Sequence, residues 1–125
     1  MLVVKVDPLE GVYPIDIDLN WENYRKQLGV STLYPVYTTI GGMKYEIIVD
    51  DNGLLKENYP SAISKTGRPV LVGPLLILHY DLENDKEYGL TLEDLEVIYN
   101  HLFKLIPAKG VVPFLHTVQI DAETA

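Results

Sequence analysis

Apolar and polar positions alternate with a strand-like period along most of this chain, and shift to a helical period in two places. Leu2–Val6 is short, rich in β-branched residues and followed by Asp7-Pro8, so it predicts a strand. Val12–Ile17 alternates through Ile15, Asp16 and Ile17 and predicts a second, with Asp7–Gly11 as the hairpin turn. Trp21, Tyr24 and Leu28 then fall at i, i+3 and i+7, the apolar stripe of a helix over Trp21–Leu28. Asn20 is its N-cap and Gly29 its stop. Glu22 near its start and Arg25 and Lys26 near its end suit the helix dipole.

Thr32–Ile40 and Met43–Val49 are two further strands, joined by Gly41-Gly42. A Gly-Gly pair there signals a tight hairpin, because such turns need positive φ. Asp50-Asp51-Asn52-Gly53 closes the second run as a turn, and Pro60–Ser64 predicts a single helical turn. Val70–His79 is the most apolar run, which predicts a central strand buried on both faces. Pro74 inside it cannot donate to a ladder and predicts a bulge or a break. Thr91-Leu-Glu-Asp94 resembles a capping box and opens the main helix, about Leu92–Leu105. Leu92, Leu95, Ile98, Tyr99, Leu102 and Leu105 are its expected core stripe, and Pro107 ends it. Val111–Ile120 is a last strand, placed at a sheet edge by Pro113, and Asp121–Ala125 a solvated tail. The expected fold class is α+β: a mixed, mostly antiparallel sheet of about six strands with two helices. It forms a single domain over residues 1–125, with a core over about 2–106 and a C-terminal strand and tail over 107–125.

Composition narrows the chemistry. The chain has no cysteine, which removes disulfides, thiolate nucleophiles and iron–sulfur clusters and suits a reducing cytoplasm. The formal net charge is −8, with ten basic residues scattered along the chain. That balance predicts neither a nucleic-acid partner, which needs a basic patch, nor an anionic membrane partner. Asp7 follows too few apolar residues for a signal-peptide core, and no run reaches the ~20 apolar residues of a membrane span.

No catalytic or metal-binding set stands out, and no cofactor is expected. His79, His101 and His116 lie far apart, without metal-ligand spacing. Asp50–Gly53 lacks the alternating ligands of a calcium loop. Gly41-Gly42 lacks the Lys-Ser/Thr of a phosphate loop, and no Ser sits in a nucleophile elbow. Asp81, Glu83, Asp85 and Glu87 read as a solvated charge run rather than a paired acid and base. The tyrosines are more suggestive. Of nine, Tyr34, Tyr37, Tyr45 and Tyr59 crowd the middle third, where strand propensity is the plain explanation and stacking against a ligand the functional one. Lys65 and Arg68 flank a glycine in the loop entering the apolar strand, where a ligand phosphate could be gripped. His79 ends that strand and is the best functional candidate of the three histidines.

Taken in order, Leu2-Val-Val-Lys-Val-Asp-Pro8, a short helix ending in Gly29, Leu33-Tyr-Pro-Val36, Ile48–Leu54, Tyr59-Pro-Ser-Ala-Ile63, Val72-Gly-Pro-Leu-Leu-Ile77 and Leu90-Thr-Leu-Glu-Asp94 form a pattern. From about Leu2 to Phe103 it resembles a small phage-encoded family designated domain of unknown function 3846. The departures are a C-terminal extension, Pro107–Ala125, and a longer Asp81–Gly89 loop. The resemblance implies a bacteriophage accessory protein acting in the host bacterial cytoplasm, and supplies no catalytic residues. The leading expectation is a non-catalytic sponge for a small nucleotide-type immune signal, homo-oligomeric, binding through Tyr34, Tyr37, Tyr59, Lys65, Arg68 and His79. The alternatives are an acidic inhibitor of a host enzyme, and an enzyme using His79 with a carboxylate.

Overall fold

The computed structural model describes residues 1–52, 59–107, 110 and 112–121. β1 (Leu2–Asp7) and β2 (Gly11–Asp16) form the first hairpin, and α1 (Trp21–Leu28) follows. Asn20 Oδ1 accepts from the Asn23 backbone N–H at 2.8 Å, and left-handed Gly29 returns its N–H to Arg25 O at 2.8 Å. These are the two caps that the sequence marks. β3 (Leu33–Ile40) and β4 (Met43–Asp50) pair along their whole length across the Gly41-Gly42 turn.

The Val70–His79 run divides. Its first part belongs to β6 (Pro69–Val72) and its second to β7 (Leu75–Asp81), and the two lie in different sheets. Gly73, at φ 79, and Pro74 make the break. Only β7 occupies the expected central place. The first sheet runs β2-β1-β7-β4-β3, with β8 (Lys86–Tyr88) on the free end of β7. All its pairings are antiparallel.

The expected α+β class holds, with a second sheet added, ordered β6-β5-β10-β9. Three expectations change there. Pro60–Ser64 is no helical turn: β5 (Pro60–Ile63) is a strand between β6 and β10. Its small residues Ser61 and Ala62 are wholly buried, so tertiary packing overrides a helix-compatible tetrapeptide. The main helix stops at Tyr99 (α2, Leu92–Tyr99), and Leu102–Leu105 is β9. Leu92, expected in the core stripe, is 78% exposed. The last strand is shorter, β10 (Leu115–Gln119), and interior rather than at an edge, because Pro113 precedes it and blocks no ladder bond. Nor is Asp121 a free tail residue: its carboxylate takes the Thr39 hydroxyl at 2.6 Å and Lys65 at 3.5 Å.

The layers follow from these faces. Val4, Val6, Tyr45, Ile47, Leu75 and Ile77 of the first sheet pack against Ala62 and Val118 of the second, Ile120 just past β10, and Ile98 of α2. The opposite face of the first sheet, with Val3, Ile48, Leu76 and Leu78, is covered by Tyr24 and Leu28 of α1. None of the helices among the described residues is long and apolar enough to cross a membrane.

Candidate functional site

β4 and β7 carry polar groups on both faces at the same end of the first sheet. Residue alternation sends Tyr45 and His79 toward α2, and Glu46 and Tyr80 toward α1.

On the α2 side, Asp94 is the hub and is 3% exposed. Its Oδ2 accepts from the Thr91 N–H at 2.7 Å and hydroxyl at 2.8 Å, and meets His79 Nε2 at 2.7 Å. Its Oδ1 accepts from the Tyr45 hydroxyl at 3.0 Å. His79 Nδ1 lies 3.2 Å from Lys44 O, and the imidazole stacks on Tyr45 with centroids 4.9 Å apart. Burial pushes the Asp94 carboxyl up, but Thr91, His79 and Tyr45 outweigh it and hold it below the usual carboxylate range. His79 therefore ties the sheet to the α2 N-terminus, with both ring nitrogens engaged by the protein.

The α1 side differs. Glu46 is 2% exposed, and Glu87, from the run that reads as solvated, lies beside it. The run folds instead into the β7–β8 hairpin. Asp81 Oδ1 caps its turn through the Glu83 N–H at 2.9 Å, Tyr80 donates to Asp85, and Tyr24 donates to Glu87 Oε1 at 2.8 Å. Glu46 Oε2 and Glu87 Oε2 are both buried without a protein donor. Burial first, then the Glu87 carboxylate, pushes the Glu46 carboxyl up to about 8, so near neutral pH one proton is held between the two. Burial and then its bond to Glu87 raise the Tyr24 hydroxyl as well.

Glu46 and Glu87 face an open cavity of about 600 Å³, walled by Trp21, Tyr37 and Tyr80 and rimmed by Asp85 and Lys86. The Tyr37 and Tyr80 rings lie 5.0 Å apart, and Trp21 is 39% exposed above Tyr24. Burial and then Glu46, Glu87 and Asp85 push the Tyr37 hydroxyl up, a second mark of the negative field here.

Of the six residues singled out in the sequence, only Tyr37 lines this pocket. Tyr34 borders a separate hollow with Val70–Val72. Lys65 and Arg68 are in the β5–β6 turn, where Lys65 pairs with Asp121, while Tyr59 is at the other end of that hairpin, accepting from Gly73. The six do not converge within one chain. Missed were Glu46, Glu87, Trp21 and Tyr80. Glu46 has a sequence signal: it is the one charge in Tyr45–Val49, an otherwise apolar strand. Among the described residues, no group of three or more His, Asp or Glu is arranged to hold a metal ion. No protein-family model, curated protein or solved structure matches the chain.

Proposed function

We propose that this chain is a non-catalytic bacteriophage accessory protein that sequesters a small signal molecule in the host bacterial cytoplasm, holding it in the α1-face pocket. One observation carries the reading: a carboxyl pair with two undonated buried oxygens at the floor of a cavity walled by three aromatic rings. A pocket with apolar walls and a few convergent polar groups is the usual form of a small-molecule site. The carboxyl pair binds rather than reacts in this reading. Its oxygens lie within the fold, and the groups around them are ring faces and a phenol that donates to one of them.

The phage context rests on the resemblance in the sequence. A nucleotide-type signal, the expectation from that stage, suits this pocket only base first. Its base would stack on Tyr37 and Tyr80, and its phosphates would stay in solvent, away from Glu46, Glu87 and Asp85. Mixing the purified protein with a panel of nucleotide messengers and small metabolites, then heating and identifying what is released, tests the proposal. Expected is one ligand released chemically unchanged, with binding weakened about tenfold or more by Tyr37→Ala. Release of an altered molecule, or no ligand from the panel or from infected cells, overturns it.

A further inference from the structure

The floor of the α1-face pocket constrains what it can accept. The proton held between the two carboxyls joins Glu46 and Glu87 to each other, and no other protein group donates to Glu46 Oε2 or Glu87 Oε2. Without that proton both are pure acceptors, so a ligand that replaces it must carry N–H or O–H groups. Charge adds a second constraint. Asp18, Asp85 and Glu87 line the pocket against Lys86, the one basic side chain among its lining residues. The Met1 ammonium at the rim is engaged by Asp16 at 2.6 Å. The walls supply a third, because the exposed rings of Trp21 and Tyr37 and the half-buried ring of Tyr80 attract flat groups and cations.

We propose that the α1-face pocket binds a small molecule through a planar guanidinium or amidinium cation, which donates to Glu46 Oε2 and Glu87 Oε2 and stacks against Tyr37. This rests on the sequestration reading and names the chemistry of the ligand's buried end. A planar cation with parallel N–H groups matches a carboxylate pair better than a compact ammonium does. It also supplies the positive charge that a phosphate lacks. On entry it displaces the proton held between the carboxyls, which leaves to solvent. The titratable and charged groups around Glu46 in the pocket are the Met1 ammonium, Asp18, Tyr24 from α1, Tyr37 from β3, Tyr80 from β7, Asp85 from the turn, and Lys86 and Glu87 from β8. Tyr24 and Tyr37 are both pushed above the ordinary tyrosine value, so the exchanged proton belongs to the carboxyl pair.

Calorimetric titration of the whole protein with agmatine and benzamidine, alongside putrescine and AMP, tests this. Expected is binding of both planar cations at least about tenfold tighter than putrescine. Below pH 8 about one proton is released per ligand, read from the dependence of heat on buffer ionisation enthalpy. Glu46→Gln keeps the shape of the protonated acid and removes the exchange, so it should weaken both cations about tenfold or more and abolish the proton release. Glu87→Gln is the second variant, should the first not fold. Planar cations no better than putrescine, or unaffected by both variants, overturn the inference. AMP binding that depends on Tyr37, without cation binding, overturns it while leaving sequestration standing. No binding by any of the four, with nothing carried from infected cells, overturns both.

Discussion

Glu46 stands where strand alternation would normally put an aliphatic side chain. Its neighbours on that face are Ile48, Leu76 and Leu78, and it is almost wholly buried. A carboxyl whose folded value, about 8, exceeds its unfolded value binds its proton more tightly when folded. That contribution is complete below about pH 4.5 and is lost as pH rises to about 8. Glu46→Gln stays neutral throughout, so urea unfolding should find it about 1–3 kcal/mol more stable than the parent at pH 9, and nearly equal at pH 5. A constant difference across that range would show that Glu46 is not held protonated. Asp94 has the opposite sign: its value is lowered, so its contribution is present above about pH 4 and lost as pH falls further. Together the two place the stability maximum in mildly acidic solution, near about pH 5, which a Tm-against-pH series checks. Asp94→Ala strips the cap from α2 and leaves the Tyr45 hydroxyl without its acceptor, at a cost of about 2–4 kcal/mol by chemical unfolding. The capping box was legible because it is local, its partners Thr91 and Asp94 three positions apart. The Glu46–Glu87 pair was not, because β4 and β8 meet it from 41 positions apart, and only the hairpin register turns Glu87 inward.

Elements show the same division between local and distant causes. α1 and the β3–β4 hairpin were readable to their caps, since Asn20, Gly29 and Gly41-Gly42 act within a few residues. The run from Val70 to His79 was not, because hydropathy is continuous across a point where the backbone changes sheets. Gly73 does that work: its φ of 79 suits glycine, and its N–H donates to Tyr59 O at 2.8 Å as β6 leaves β5. Gly73→Ala must take a left-handed conformation there, and should lose about 1–2 kcal/mol by urea unfolding. An unchanged midpoint would mean that the break is set by Pro74 alone. The boundary between α2 and β9 failed in sequence for a related reason. Leu102 and Leu105 continue a helical spacing, yet Leu102–Leu105 pairs in full with β10, and ladder bonds to a strand so near the C-terminus leave no periodicity in the helix itself.

At the scale of the whole molecule, β10 decides where the domain ends. In the sequence the segment after Pro107 follows the expected end of the core and reads as an appendage. Yet β10 sits between β5, to which it runs parallel, and antiparallel β9, so its loss leaves both with an open edge. Leu115, Val118 and Ile120 are essentially inaccessible, and the latter two join the core beneath the first sheet. Burying three such side chains contributes about 1.5–3 kcal/mol each, a sum comparable to the ~5–15 kcal/mol that holds a domain folded. The Thr117 hydroxyl also donates to Phe103 O at 2.9 Å, and the Ile120 N–H to Ile63 O at 2.9 Å. A chain ending at Pro107 should therefore lose its cooperative thermal transition, with near-ultraviolet circular dichroism collapsing and ligand binding lost with it. The pocket itself lies on the far face of the first sheet, touching none of these residues. A truncated chain that still melts cooperatively within a few degrees of the full one would make β10 an ornament on the second sheet, and the first sheet with α1 the true folding unit.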